Sequence, residues 1–239
     1  MIQTAIAVAT VFALWLCVNW AYQVLRKPSE LFFPVSNALF KTPTETWREY
    51  GPLFRKHSTA VITPDLLAAL AQVEGSGNPV ARTYWRLSLQ RKPFEVYKPA
   101  SSAVGMYQIT DSTFELAKRY CIRDHVVVEQ GAWNDPRACW FNSLYARTIP
   151  SDAVELTAAY LDRAIDGMLA RHRMSKATLE QKQNLAAVIH LCGAGAGESY
   201  VRRRFRLLPG QRCGDHAARV YVERVAQMRK IFRTLESKE

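Results

Sequence analysis

A predicted helix over residues 63–74 constrains the fold of this chain more than any other feature. Thr63 suits the N-cap, a proline fits the first turn, and the residues that follow are mostly leucine and alanine. Leu67 and Leu70 recur at helical spacing, and Glu74 continues the same stripe. The spacing therefore predicts that Glu74 lies on the buried face, at the end of the helix, just before Gly-Ser-Gly-Asn-Pro.

A carboxylate in that position is suited to acid catalysis. Burial and the negative end of the helix dipole both disfavour the ionised form of Glu74. Such a group adds no stability to the fold, but an acid that works near neutral pH has to keep its proton. The alternative is a frayed helix end with the Glu74 side chain in water.

The chain begins with a long apolar segment. Residues 5–22 are almost wholly apolar, and no charged side chain precedes Arg26. About 20 apolar residues suffice to cross a bilayer as a helix. Residues 1–25 are therefore a membrane anchor or a cleaved signal, and the poor n-region and cleavage site favour the anchor. Arg26 and Lys27 follow, so the positive-inside rule alone would leave the rest of the chain in the cytoplasm.

Cysteine usage favours the opposite side of the membrane. Beyond the apolar segment the chain contains Cys121, Cys139, Cys192 and Cys213. An even number in an exported domain permits two disulfides, and proximity favours Cys121 with Cys139 and Cys192 with Cys213. The alternative is four thiols in a cytoplasmic protein. A zinc site is less expected, because no Cys-x-x-Cys pair occurs.

The formal net charge of +11 implies a polyanionic neighbour. Nucleic acid, anionic lipid headgroups and bacterial cell wall all qualify. The densest basic patch, residues 202–206 with Arg212, is more typical of a solvated helix end, because no nucleic-acid motif accompanies it. We therefore expect no nucleic-acid partner.

The rest of the chain is predicted to form a tether and one mainly helical domain. Residues 26–57 are rich in Pro, Phe and Trp without a sustained helical period, and we interpret them as a tether that packs partly on the domain or the membrane surface. The domain is predicted over residues 58–239. Further helices are predicted over about 111–120, 151–169, 179–190 and 216–235, with a short aromatic hairpin around 82–99. No internal repeat and no sustained strand alternation is visible.

Short motifs in a fixed order follow the helix that carries Glu74. Glu-x-x-x-Asn-Pro-x-Ala covers residues 74–81, and Ser-Ala-Val-Gly-Met-Tyr-Gln-Ile covers residues 102–109. A glycine-rich turn lies at 192–197, and Tyr-Val-x-x-Val covers 221–225. Together these motifs resemble the soluble lytic transglycosylase (SLT) catalytic domain, and the resemblance spans most of the chain beyond the tether. It implies an α+β, lysozyme-like fold.

The resemblance also implies a reaction. The family cleaves peptidoglycan between N-acetylmuramic acid and N-acetylglucosamine, and it closes the muramic acid C6 hydroxyl onto C1 to leave a 1,6-anhydro end. Glu74 would be the single general acid and base, with the substrate N-acetyl group steadying the cation. Most glycoside hydrolases need a carboxylate pair, and Glu74 has no convincing partner in this sequence. No cofactor and no metal are expected.

Other positions match the family's cleft. The resemblance implies substrate contacts from Ser102, Gly105, Met106, Tyr107, Gln108, His190 and Tyr221. Each has a structural alternative, such as core packing for Met106 and Tyr107, a turn-stabilising amide for Gln108 and helix packing for Tyr221. Gly75 departs from the serine that usually follows the family glutamate.

These observations predict a peptidoglycan lytic transglycosylase. We expect it to be anchored in the inner membrane with its catalytic domain in the periplasm, or secreted there after signal cleavage. The extracytoplasmic substrate and the paired cysteines outweigh the two basic residues after the anchor. The alternatives are a lysozyme-type hydrolase of the same fold and a non-catalytic peptidoglycan- or nucleic-acid-binding protein. An envelope-spanning machine is a further candidate partner.

Overall fold

A computed structural model describes residues 1–32, 35–88, 94–132, 134–135 and 138–239. Its α-helices are α1 (Ile2–Arg26), α2 (Pro43–Lys56), α3 (Pro64–Gly75), α4 (Asp111–Ala117), α5 (Pro150–Arg171), α6 (Leu179–Cys192), α7 (Ala194–Arg202) and α8 (Ala218–Glu236). Short 3-10 helices cover Pro28–Phe32, Ser36–Leu39 and Trp140–Leu144. The prediction of a mainly helical protein is confirmed.

Three antiparallel hairpins accompany the helices in the described parts of the chain. β1 (Trp85–Leu87) pairs with β2 (Tyr97–Pro99), β3 (Tyr120–Arg123) with β4 (Val126–Glu129), and β5 (Arg212–Cys213) with β6 (His216–Ala217). The first pair confirms the hairpin that the sequence predicts.

The β3–β4 hairpin corrects the helix expected over residues 111–120. That helix ends at Ala117, and Tyr120 begins a strand instead. The turn residues Asp124 and His125 have φ of 49° and 64°, a conformation that Asp and His tolerate better than most residues. A run of three valines follows the turn and favours extended backbone.

Helix α3 lies at the centre of the core. Its residues from Leu66 to Ala71 are all 0% exposed, so this helix is buried on every side rather than along one stripe. Helices α2, α5 and α8 pack around it, and α6 packs against α5 and α8. The buried position of α3 fixes where its last turn, and therefore Glu74, can lie.

Helix α2 belongs to the folded body, upstream of the start predicted at residue 58. Trp47, Tyr50 and Phe54 are buried in the same core as α3. The prediction of a tether without a helical period is therefore wrong for residues 43–56. The buried Trp47, Tyr50 and Phe54 do recur at helical spacing after a capping box, and the internal Pro52 is the one local feature that disfavours a helix here.

Helix α1 is long and apolar enough to cross a membrane, by length and composition. Most of its side chains are exposed, and the two buried ones are polar, Asn19 and Gln23. They donate hydrogen bonds to the carbonyl oxygens of Tyr97 and Phe94 near the β1–β2 hairpin. The end of α1 is therefore attached to the domain.

Both predicted disulfides are present. Cys121 on β3 is bonded to Cys139, and Cys192 at the end of α6 is bonded to Cys213 on β5. The second bond joins the end of α6 to the hairpin that precedes α8. It therefore ties together two of the helices that surround the end of α3.

Candidate active site

The last turn of α3 presents the Glu74 carboxylate to a partly open site. The helix ends because Ser76 and Gly77 adopt left-handed backbone with φ of 48° and 64°. The Glu74 side chain is 17% exposed, so it is neither sealed in the core nor extended into water. This position fits the predicted buried stripe and rules out the frayed-end alternative.

Tyr221 on α8 contacts that carboxylate directly. Its hydroxyl donates a hydrogen bond to Oε1 of Glu74. Burial, together with the negative charge of Glu74, raises the pKa of Tyr221 well above its usual value of 10. The phenol therefore stays protonated and acts only as a donor toward Glu74 in the physiological pH range.

A buried ion pair holds α8 against α3. The Arg229 guanidinium Nε lies 2.9 Å from Oδ2 of Asp65, in the first turn of α3. Both side chains are almost fully buried. This pair and the Tyr221–Glu74 hydrogen bond connect opposite ends of α3 to the same helix, so the register between α3 and α8 is fixed at two points.

His190 on α6 is the third member of the cluster. Its Nε2 atom lies 3.8 Å from Oε1 of Glu74, which is too long for a hydrogen bond. Burial lowers the pKa of His190, against the opposing effects of the Glu74 charge and of a hydrogen bond to the Tyr107 backbone. The imidazole is therefore neutral near pH 7 and adds no positive charge beside Glu74.

The Met106 and Tyr107 side chains are buried in the core next to the site. Both side chains are 0% exposed, so they present no surface to a ligand. The Tyr107 hydroxyl donates to the backbone oxygen of Leu67 at 3.1 Å, and its ring meets the His190 ring edge-on, with centroids 6.3 Å apart. Their burial does not fit the sugar contacts that the resemblance implies, and favours core packing with Tyr107 as a support for His190.

Gly75 explains how the loop at residues 102–109 approaches Glu74. A Cβ atom at Gly75 would lie 2.8 Å from Met106 Cα and 2.9 Å from its carbonyl oxygen. Those are backbone atoms that cannot move aside cheaply. A serine at this position would therefore not fit unless the loop at residues 102–109 moved away from the end of α3.

Gly105 and Arg147 shape the same loop. Gly105 has φ of +81°, and a side chain there would clash with the Arg147 carbonyl oxygen. The Arg147 guanidinium donates to the carbonyl oxygens of Ser102 and Ile109, at 3.0 and 2.8 Å. Arg147 thus holds the two ends of the loop together. It belongs to none of the motifs identified in the sequence.

Gln108 stabilises a turn and also lines a groove. Its side-chain amide donates to the carbonyl oxygens of Ala81 and Gly105, at 3.1 and 2.9 Å, which stabilises the turn. The same residue lines a groove of about 240 Å³ together with His190. Gln108 is therefore positioned at the open side of the cluster.

Ser102 lies elsewhere. Its hydroxyl accepts a hydrogen bond from the backbone of Asp111 at 3.1 Å, and the residue lines a separate cavity of about 620 Å³. The structure therefore brings together Glu74, His190 and Tyr221 at the carboxylate, with Gln108 on the adjoining groove, but not Ser102.

Helix α5 supplies two groove residues that the sequence analysis missed, Thr157 and Tyr160. Thr157 is 5% exposed, and its hydroxyl has no hydrogen-bond partner within the described residues. A lone hydroxyl on an otherwise apolar helix face is the signal that could have identified it. The hydroxyl oxygen itself is enclosed, so it reaches a ligand in the groove only if its neighbours move.

The groove residues limit the available chemistry. The described lining includes hydroxyls, amides and His190 but no aspartate or glutamate. Within the described ranges, no cluster of three or more His, Cys, Asp or Glu residues could hold a metal ion. The arrangement offers one carboxylate, with a phenol donor and a neutral imidazole beside it.

Comparison with known proteins agrees with this geometry. The model of the transglycosylase SLT domain family, of the lysozyme-like superfamily, matches residues 52–202, which is more than half of the chain. The match includes Glu74 and His190, whereas Tyr221 lies beyond it. A search of curated proteins found no match. The match supports a peptidoglycan-acting function of the lytic transglycosylase type. The chain therefore belongs to the transglycosylase SLT domain family.

Proposed function

We propose that this protein is a lytic transglycosylase that cleaves the β-1,4 bond between N-acetylmuramic acid and N-acetylglucosamine, with Glu74 as its only general acid and base. The observation that carries the proposal is the single carboxylate at the end of α3, held by the Tyr221 hydroxyl beside a neutral His190. The product is a glycan strand with a 1,6-anhydro-muramic acid end.

In the first step Glu74 protonates the glycosidic oxygen. Tyr221 donates to Oε1, so the carboxyl proton of the acid resides on Oε2, the oxygen left for the substrate. As the C1–O bond breaks, Glu74 becomes a carboxylate, and the same hydrogen bond from Tyr221 becomes charge-assisted and stronger. Tyr221 therefore stabilises the state that follows proton transfer more than the one that precedes it.

His190 matters in this step because it is neutral. A protonated imidazole 3.8 Å from Oε1 would favour the ionised form of Glu74 and oppose its role as an acid. Burial disfavours that protonated ring. We therefore assign His190 a positioning role, in which it packs against Tyr107 and limits water access to the carboxylate.

In the second step the carboxylate accepts the proton of the muramic acid C6 hydroxyl while that oxygen bonds to C1. The proton given to the leaving sugar in the first step is thereby restored to Glu74, and no water is consumed. The substrate N-acetyl group steadies the cation between the steps, as the family resemblance implies. The described contacts of the Glu74 carboxylate are to Tyr221 and His190, with no second carboxylate among them, which supports a mechanism with one carboxylate.

The site of action follows from the substrate. Peptidoglycan lies outside the cytoplasm, and two disulfides are typical of a domain in an oxidising compartment. We propose that α1 anchors the chain in the inner membrane and that the catalytic domain faces the periplasm.

Digestion of purified sacculi by the full chain tests the reaction. Wild type should release muropeptides that end in 1,6-anhydro-muramic acid, which mass spectrometry separates from reducing ends by the mass of one water. Glu74→Gln should abolish release while sparing sacculus binding, because an amide cannot supply the proton. Glu223→Gln, at an exposed position of α8, is the matched control and should retain activity. Reducing ends would indicate a hydrolase instead, and unchanged release by Glu74→Gln would exclude Glu74 as the acid.

A further inference from the structure

A large cavity lies between the end of α1 and the domain, and neither Glu74 nor Tyr221 lines it. It has a volume of about 620 Å³. Its cationic lining comes from three regions of the chain: Arg26 and Lys27 at the end of α1, Arg86 and Lys98 on the β1–β2 hairpin, and Arg147 beside α5. We call it the junction cavity.

The two faces of the β1–β2 hairpin have different characters. Arg86 is directly opposite Lys98 in the strand register, and like charges so placed destabilise a hairpin unless an anion lies between them. Trp85 and Tyr97 alternate with this pair and line a second groove, of about 340 Å³, beside Trp20 of α1. The hairpin thus presents cations on the junction-cavity side and aromatic rings on the other.

The acidic side chains at the junction cavity only partly neutralise it. Arg26 and Lys98 both pair with Glu95, at 3.0 and 3.5 Å, and Arg147 pairs with Asp111 at 2.7 Å. Five cations and two carboxylates line the described part of the cavity, and the buried Glu30 carboxylate behind it pairs with Lys27 and with Arg82. With Glu30 and Arg82 included, six cations face three carboxylates, an excess of three positive charges. Such an excess favours an anionic ligand.

The attachment of α1 fixes where this charge lies. Asn19 and Gln23 bond to backbone oxygens near the hairpin, and the Lys27 ammonium donates to the Ala103 carbonyl at 3.0 Å. The cations of the cavity therefore lie at the level of the last α1 residues, immediately after the apolar segment. Trp20 and the aromatic residues of the hairpin lie one to two helical turns closer to the apolar part of α1 than these cations do. In membrane proteins, aromatic residues are enriched at this level, the membrane–water interface.

We propose that the junction cavity binds the phosphate of an anionic phospholipid headgroup, so that the catalytic domain lies directly on the bilayer surface. The assignment rests on the proposed membrane anchor and is independent of the lytic reaction. Arginine and lysine are the usual partners of phosphate, and the aromatic face of the hairpin suits the adjoining interface. Lys27 and Arg147 link the cavity to the backbone at Ser102 and Ala103, which begin the loop over the active site.

Native mass spectrometry of the full chain tests this site. The protein is released from micelles that contain equal amounts of phosphatidylglycerol and phosphatidylcholine, and the lipid that remains bound is identified. Wild type should retain phosphatidylglycerol in preference. Arg86→Gln should reduce that preference about five-fold, the effect expected for one cation near an anionic lipid. Arg206→Gln is the matched control, because Arg206 is an exposed arginine that does not line the junction cavity. This variant should retain the preference for phosphatidylglycerol.

The controls separate the possible failures. Arg86 is exposed and lies opposite Lys98, so the thermal unfolding midpoint of Arg86→Gln should not fall below that of wild type, which excludes misfolding. Equal retention of the two lipids by wild type, or an unchanged preference in Arg86→Gln, would overturn the proposal. Comparable binding of inorganic phosphate in lipid-free neutral micelles would also overturn it and indicate a soluble ligand. Alkaline carbonate extraction of membranes tests the anchor separately, and anhydro-product release tests the reaction separately.

Discussion

The Tyr221 hydroxyl donates a hydrogen bond to Oε1 of Glu74, so α8 orients the carboxylate that α3 carries. We expect Tyr221→Phe to lower kcat by one to two orders of magnitude, because a hydrogen bond to a charged group contributes about 1.5–3 kcal/mol. The ring remains, so sacculus binding should change little. Release of soluble anhydro-muropeptides measures the effect. Tyr200→Phe, a buried tyrosine on α7, should leave kcat unchanged. Equal rates for both variants would show that the hydrogen bond does not contribute to turnover.

His190 should make stability depend on pH. Burial lowers its pKa in the folded protein, so the unfolded chain binds more protons as the pH falls below about 6.5. The neutral His190 ring therefore makes its full contribution to stability above that pH. Below it, the free energy of unfolding falls by up to ~1.4 kcal/mol per pH unit. Burial lowers the pKa of His57 as well, so some dependence should persist without His190.

Urea unfolding at a series of pH values between about 5 and 8, on both sides of the ordinary histidine pKa of about 6.5, checks this expectation. Wild type is compared with His190→Gln and with His216→Gln. His190→Gln should show a shallower decline below pH 6.5 than wild type. His216 is exposed on β6, and its replacement should leave the wild-type slope. Identical slopes for wild type and His190→Gln would contradict a buried neutral imidazole.

Gly75 should not tolerate a side chain. Gly75→Ser places a Cβ atom 2.8 Å from Met106 Cα, and overpacking of this kind typically costs about 1–3 kcal/mol. The loop at residues 102–109 must shift, so activity should fall together with the free energy of unfolding. Gly195→Ala in α7 meets no atom within 4 Å and should instead stabilise the fold by about 0.5–1 kcal/mol. Urea denaturation measures both variants, and a stable, active Gly75→Ser would contradict the close approach.

The two disulfides should differ in their effect on activity. Replacing either pair with serine should cost roughly 3 kcal/mol, because the two bonds close loops of similar length. The bond between Cys192 and Cys213 also joins the end of α6, which carries His190, to the strand before α8, which carries Tyr221. We expect its loss to lower kcat more than the loss of the other bond. Activity well below each variant's melting temperature checks this, and equal losses would argue for a purely stabilising role.

The parts of the fold that depend on local pattern were predictable from the sequence. Helix α3 has Thr63 at its N-cap position, an early proline and a terminal Gly-Ser-Gly, so its ends and the position of Glu74 follow from residues within one segment. The Thr63 hydroxyl donates to the Asp65 carboxylate rather than capping the backbone. The β3–β4 hairpin has strands of only four residues, too short for a clear alternation. Helix α2 was predictable as well, because Trp47, Tyr50 and Phe54 recur at helical spacing after a capping box, and only the internal Pro52 disfavours it.

The parts of the site that depend on distant contacts required the structure. Tyr221 lies 147 residues from Glu74, and only the family resemblance connected them. The burial of Met106 and Tyr107 depends on the space that Gly75 leaves, which no local pattern encodes. Thr157 and Arg147 reach the site from α5 and the segment before it, and neither belongs to a motif. Ser102 belongs to one, yet its loop places it on the junction cavity.

The attachment of α1 to the hairpin limits how far the domain can lie from the proposed membrane anchor. A free tether over residues 26–57 would let the domain travel roughly 100 Å, the extended length of that many residues. Bonds from Asn19, Gln23 and Lys27 to the domain remove this freedom. With α1 as the proposed membrane anchor, the Glu74 carboxylate would stay at a constant height above the lipid, and the proposed reaction would be confined to glycan strands that pass through that thin layer.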